Sequence, residues 1–129
     1  MNSKRPWLTP FTWDFVTAQN RMLCEGKSAH HGATSDGHDS CKTIWEDNMP
    51  KIMDLYDAIE VCRKSHRLAP FTNFNGNTFA AIARTMVRRL QLEPDLDYQA
   101  RSLAGHIVAG VAGEEETEAF RKLCKSLGV

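Results

Sequence analysis

The apolar register of residues 79–90 constrains this chain more than any other feature. Phe79, Ile82, Ala83, Met86, Val87 and Leu90 recur three and four residues apart, the spacing that lines one side of a helix with about 3.6 residues per turn. A strand would send half of these side chains to the opposite face. The segment is therefore predicted as an amphipathic helix, and its stripe needs a second apolar surface to cover it. Residues 94–111 supply one. Pro94 and Asp95 suit a helix start, and Leu96, Ala100, Leu103, Ala104, Ile107, Val108 and Val111 form a stripe broad enough for the central helix of a bundle. Gly105, Ala109 and Ala112 add a small-residue edge that lets a neighbour come close, which offsets the roughly 1 kcal/mol that an interior glycine costs a helix.

Three further helices follow from the same reasoning. In "LTPFTWDFVTAQNRMLCEGK", Thr9 is predicted as N-cap, Pro10 as the first helical residue and Leu8 as a staple on Trp13. Phe11, Phe15, Ala18 and Met22 form the buried stripe, and Gly26 ends the helix. In 41–68, Met49, Ile52, Met53, Tyr56 and Ile59 share a face, and Pro50 forces a break, with a short turn preceding a helix capped near Asp47 or Asn48. Asn75 is expected to cap the 79–90 helix, flanked by Phe74 and Phe79 as staple. "EEETEAFRKLCKSLGV" closes the chain with a helix burying Phe120, Leu123, Cys124 and Leu127. With no period-two segment, the expectation for residues 1–129 is one all-α domain, a bundle of about five helices with a polar loop at 26–41.

That loop, "GKSAHHGATSDGHDSC", concentrates histidine, aspartate and cysteine. Cys24, His30, His38 and Cys41 form a candidate zinc set, either structural or, with one position left to water, belonging to a metal-dependent hydrolase. The spacing matches no zinc-finger pattern, so the first expectation is a connector without a cofactor, its turns supplied by Gly32, Gly37, Ser28 and Ser35. Cys62 and Cys124 lie on apolar helix faces and read as small hydrophobes. Asp54, Asp57 and Glu60 read as a solvated face, with Glu60 placed to pair with Lys64.

The formal net charge is zero, which argues against sequence-independent attraction to nucleic acid or anionic membranes. The charge is nonetheless uneven. Residues 61–92 carry six basic groups and no acid, while 93–118 carry seven acids against Arg101 alone. Helix dipoles account for most of this, because the basic groups end helices and the acids begin them. What remains points to a binding face made of Arg63, Lys64, Arg67, Arg84, Arg88 and Arg89 with Phe71 and Phe74 as exposed aromatic anchors. The same residues could instead serve single-stranded nucleic acid.

No run is long and apolar enough to span a bilayer, and the start "MNSKRPWLTPFTW" lacks an apolar core of signal-peptide length. The expectation is a cytoplasmic interaction protein, a regulator, adaptor or inhibitor such as bacteria and their mobile elements encode. Its partner is expected to be a protein, with nucleic acid as the alternative.

Overall fold

The computed structural model describes residues 4–129; Met1–Ser3, part of the start read above, lie outside them. Six helices follow in order: α1 (Trp13–Gly26), α2 (His38–Asn48), α3 (Leu55–Leu68), α4 (Asn75–Arg88), α5 (Pro94–Ala109) and α6 (Glu114–Leu127). The described residues contain two isolated antiparallel bridges and no strand. α5 packs against α3, α4 and α6, as expected of a central helix, and α1 lies on α4 while α2 lies on α3. One apolar core draws side chains from all six helices, with Trp45, Phe11, Phe71, Phe79 and Phe120 as its largest fully enclosed members. No helix among the described residues is long and apolar enough to cross a membrane.

The count is six rather than five because the stretch before Pro50, expected as a short turn, is a helix of its own, and the polar loop is correspondingly shorter. It covers 27–37, and His38 and Cys41 belong to α2. Pro50 does break the chain, but on both sides: α2 ends at Asn48, and α3 starts at Leu55 with Asp54 as its cap, its side chain accepting from the Asp57 amide at 2.8 Å. Between them Met53 exchanges a reciprocal pair of 2.9 Å backbone hydrogen bonds with Arg5. The cap near Asp47 or Asn48 is therefore corrected to Asp54.

α1 presents the opposite face from the one its apolar residues suggest. Thr12, not Thr9, is the N-cap, accepting from the Phe15 amide, while the Thr9 hydroxyl donates to the Met49 carbonyl. The buried positions are Trp13, Val16, Asn20 and Cys24, whereas Phe15 and Met22 are 43% and 65% exposed. The true core face is hidden in the sequence by an asparagine at its centre. Asn20 can be buried because all its hydrogen-bonding capacity is used, as described below.

Smaller corrections have similar causes. Val111 is exposed, because Gly110 turns left-handed at φ 78° and ends α5 before it. Asn75 is the first residue of α4 rather than its cap; Phe74 precedes it in the left-handed region at φ 58°. Gly105 does admit a close neighbour, the Arg84 guanidinium, whose Nη2 would stand 2.7 Å from a Cβ at that position.

Candidate functional site

The histidine-rich stretch is held by hydrogen bonds to residues 69–74. Thr34 N donates to the Pro70 carbonyl and Thr72 N to the Gly32 carbonyl, each at 3.0 Å, around a bridge between Ala33 and Phe71. Side chains extend the ladder: Thr34 Oγ1 donates to the Ala69 carbonyl at 2.7 Å, and Thr72 Oγ1 and Asn73 Nδ2 both donate to the His30 carbonyl. Gly37 fits against the end of α3. A Cβ there would collide with the Leu68 carbonyl and stand 2.7 Å from that of Ala69. Glycine is required at this position by contact rather than by its backbone angles.

Beneath this clip lies a polar node. Asn20, fully buried, donates from Nδ2 to the Asn73 carbonyl at 2.7 Å and to Thr78 Oγ1 at 3.0 Å. A carbonyl can only accept, so the amide orientation is fixed. Oδ1 then accepts from His31 Nδ1 at 2.8 Å and from the Cys24 thiol at 3.6 Å, which places the His31 proton on Nδ1 and uses both donors and both lone pairs of the amide. Beside the node, Phe71 stacks on Trp13 with ring centroids 5.7 Å apart and meets the His31 and His38 rings at 6.0 and 6.1 Å. Asn75 secures its backbone, accepting from Phe71 N at 2.9 Å and donating to Phe71 O at 2.8 Å. Phe71, expected as an exposed anchor, is thus 2% exposed and belongs to the core. Phe74 is half-buried.

The candidate zinc ligands are scattered over these roles. The described residues hold no grouping of three or more His, Cys, Asp or Glu side chains that could hold a metal ion. Cys24 serves the Asn20 node, and His38 Nδ1 faces its neighbour Asp39 at 3.0 Å. Cys41 is buried against α3, its thiol donating to the Ser65 carbonyl at 3.9 Å. Burial pushes its pKa up to about 11, so in the metal-free chain at neutral pH it is a thiol and not the thiolate that a nucleophilic mechanism requires. Cys124 is pushed up to about 12 and Cys62 also up, both by burial. These two are core residues, as expected.

The basic residues divide among several environments. Arg63 forms a three-contact ion pair with Glu60 at 2.8–3.1 Å, the partner expected for Lys64. Arg84 lies over Gly105, and the Arg89 guanidinium sits 4.8 Å above the Phe11 ring. Arg88 is exposed in the last turn of α4. Lys64 and Arg67, like Arg88, are exposed and form no ion pair among the described residues; together with Ile44 and Leu68 they line a groove of about 380 Å³ between α2 and α3. Lys64 also borders an adjoining hollow of about 280 Å³ lined by Asn48, Lys51, Ile52, Met53, Asp57, Glu60 and Val61. Ile52 and Ile44 are 66% and 37% exposed there.

This surface combines apolar walls with cations whose charge is uncompensated. Of the clefts beside α6, the one of about 290 Å³ contains the Glu60–Arg63 pair, and in another, of about 350 Å³, Arg121 donates to the Tyr56 hydroxyl and covers its ring at 4.5 Å, with Asp54, Asp57 and Lys125 also on its walls. Sequence reasoning found Lys64 and Arg67 but missed Lys51, Ile44, Ile52 and Leu68. The available signal was Pro50: once it ends a helix, α2 becomes a separate element with its own outward face, on which Ile44 has no apolar neighbour to bury it. No family model, no curated protein and no solved structure matches the chain in comparisons with known proteins.

Proposed function

We propose that this protein acts by binding another protein, as a regulator, adaptor or inhibitor does, through the face formed by α2 and α3. The observation that carries the reading is the groove bounded by Ile44 and Leu68 and flanked by Lys64 and Arg67, two exposed cations that form no ion pair among the described residues. Elsewhere several side chains that suggest chemistry are bonded within the chain: the half-buried His31 to asparagine, the Cys24 and Cys41 thiols to amide or carbonyl oxygen, Arg63 to Glu60. A protein partner is favoured over single-stranded nucleic acid because stacking on bases needs open aromatic faces beside the arginines. Phe71 and Phe79 are enclosed, Phe74 is half-buried and Phe11 is fully buried under Arg89, so that Phe15, 43% exposed beside Phe11, is the more open ring and the stacking surface is smaller than the sequence offered.

The test is affinity capture from nuclease-treated lysate with the wild-type chain, a Lys64→Glu/Arg67→Glu variant and an Arg21→Glu control on α1. The reading predicts proteins retained by wild type and control and lost from the double variant. Equal retention by all three removes this face from the function. Retention of single-stranded or duplex nucleic acid at about 50 mM salt, weakening steeply as salt rises, transfers the function to the alternative partner class.

A further inference from the structure

We infer that Asn75 is a site of spontaneous deamidation gated by the clip of residues 27–37 and 69–74. Closed, the clip protects the amide; each opening exposes it to an irreversible change after which the clip no longer closes properly. The inference is independent of the binding role proposed above. Of the six asparagines in the chain, Asn75 alone is followed by glycine. That pairing matters because the reaction begins when the backbone nitrogen of the next residue attacks the side-chain amide carbon, and a residue without a Cβ leaves that approach open. A bond forms between Gly76 N and Asn75 Cγ, closing a five-membered imide, while the Gly76 amide proton and the Asn75 NH2 group leave together as ammonia. Water, the one co-reactant, then opens the imide at either carbonyl and yields aspartate or its β-linked isomer.

In the folded chain this attack is blocked. Asn75 Oδ1 accepts from Phe71 N at 2.9 Å and Nδ2 donates to Phe71 O at 2.8 Å, so the amide is tied back to the residue four positions earlier. Asn75 and Gly76 are also the first two residues of α4, and their helical backbone angles have to be abandoned before the imide can close. The segment is nevertheless placed to open locally. The hydrogen bonds from the Thr34, Thr72 and Asn73 side chains that fasten the clip are exposed to solvent, the condition under which a region opens without the rest of the fold. Phe74, left-handed at φ 58° just before Asn75, relaxes when the segment opens. The product fits the closed clip poorly. An aspartate at this position sets an oxygen against the Phe71 carbonyl where Nδ2 donated, and the β-linked isomer adds a backbone atom to the first turn of α4.

The experiment follows Asn75 by peptide-resolved mass spectrometry during incubation near neutral pH, in the full chain and in a synthetic peptide spanning residues 70–82. The readout is the mass gained when an amide NH2 becomes OH, which separates this reaction from isomerisation at Asp36–Gly37, where mass does not change. Expected is conversion at Asn75 ahead of every other asparagine, at least about tenfold slower in the chain than in the peptide, with Asn20→Ala recovering most of that difference. Should that variant unfold, urea below the unfolding transition serves instead: the wild-type rate should rise in step with amide exchange at Phe71 and Thr72. An Asn75→Asp variant should exchange the same two amides faster than wild type. Equal rates in chain and peptide, a rate that rises only with global unfolding, indifference of a folded Asn20→Ala variant, or another asparagine reacting first overturns the inference. So does an Asn75→Asp chain whose clip amides exchange as slowly as those of wild type.

Discussion

The clip formed by residues 27–37 and 69–74 and the groove between α2 and α3 share a boundary at Leu68, yet they use polar groups in opposite ways. In the clip, chemically versatile side chains are bonded to one another and to backbone until little capacity remains: Asn20 makes all four of its bonds, and Asn75 closes both polar groups of Phe71. In the groove, commonplace residues are left with capacity to spare, since Lys64 and Arg67 form no ion pair among the described residues. The contrast locates binding capacity in what a folded chain leaves unpartnered rather than in the reactivity of its residue types.

Substitutions separate the two regions by size of effect. Phe71→Ala should cost most, about 4 kcal/mol, as expected for truncating a fully buried aromatic; urea unfolding would read it, and a loss below about 1 kcal/mol would mean that the clip is an ornament on the core. Gly37→Ala should follow at about 3 kcal/mol, because the added methyl meets the backbone carbonyls of Leu68 and Ala69 and neither is a flexible side-chain end. Asn20→Ala should cost about 2 kcal/mol through the polar groups it strands, with faster amide exchange at Thr34 and Thr72 as the local signature.

The buried thiols give a pH dependence of intermediate size. Cys41 is raised to about 11 in the folded chain, against about 8.5 for a free thiol. Both states hold the proton below about pH 8, so stability there is insensitive to this group. Above pH 9 the unfolded chain releases its proton and the folded chain does not, so stability should fall toward pH 11, by up to about 1.4 kcal/mol per pH unit for one thiol. Urea midpoints from pH 7 to 11 would show this as a plateau and then a decline; a midpoint rising with pH would contradict the burial of Cys41. The smallest stability effect belongs to the groove. Lys64→Glu/Arg67→Glu should lower stability by only about 1 kcal/mol, through the helix dipole at the end of α3, while removing partner capture, which would separate a clip that holds the fold from the face proposed for binding.

The helices α4, α5 and α6 were legible in the sequence because their apolar stripes are long and unbroken, and the centres of those stripes are buried, while Leu90, Leu96, Leu123 and Leu127 at their margins are only half-buried. α1 was misread for a physical reason. A buried asparagine interrupts its core stripe, and Phe15 with Met22 offers a cleaner apolar spacing that the fold leaves in water. Periodicity registers hydrophobicity and is blind to an amide satisfied by residues more than fifty positions away, as Asn20 is by Asn73 and Thr78. The exposure of Phe71 was misjudged in the same way, since its cover comes from Trp13 and from histidines that read as solvated. Of the groove, the cations were legible as uncompensated charge. Its apolar walls were not, because Ile44 and Leu68 become neighbours only through the packing of α2 on α3.

The fit of Gly37 beneath the end of α3 has a genetic consequence. The carbonyl it abuts belongs to Leu68, whose side chain lines the groove, so on the binding role proposed for that groove, damage to the histidine-rich stretch reaches the binding surface indirectly. A random-mutation screen for lost association should return lesions at Gly37 and Asn20 alongside those at Lys64 and Arg67. Cellular abundance would tell the two classes apart, falling for the first, whose products unfold and are degraded, and holding steady for the second.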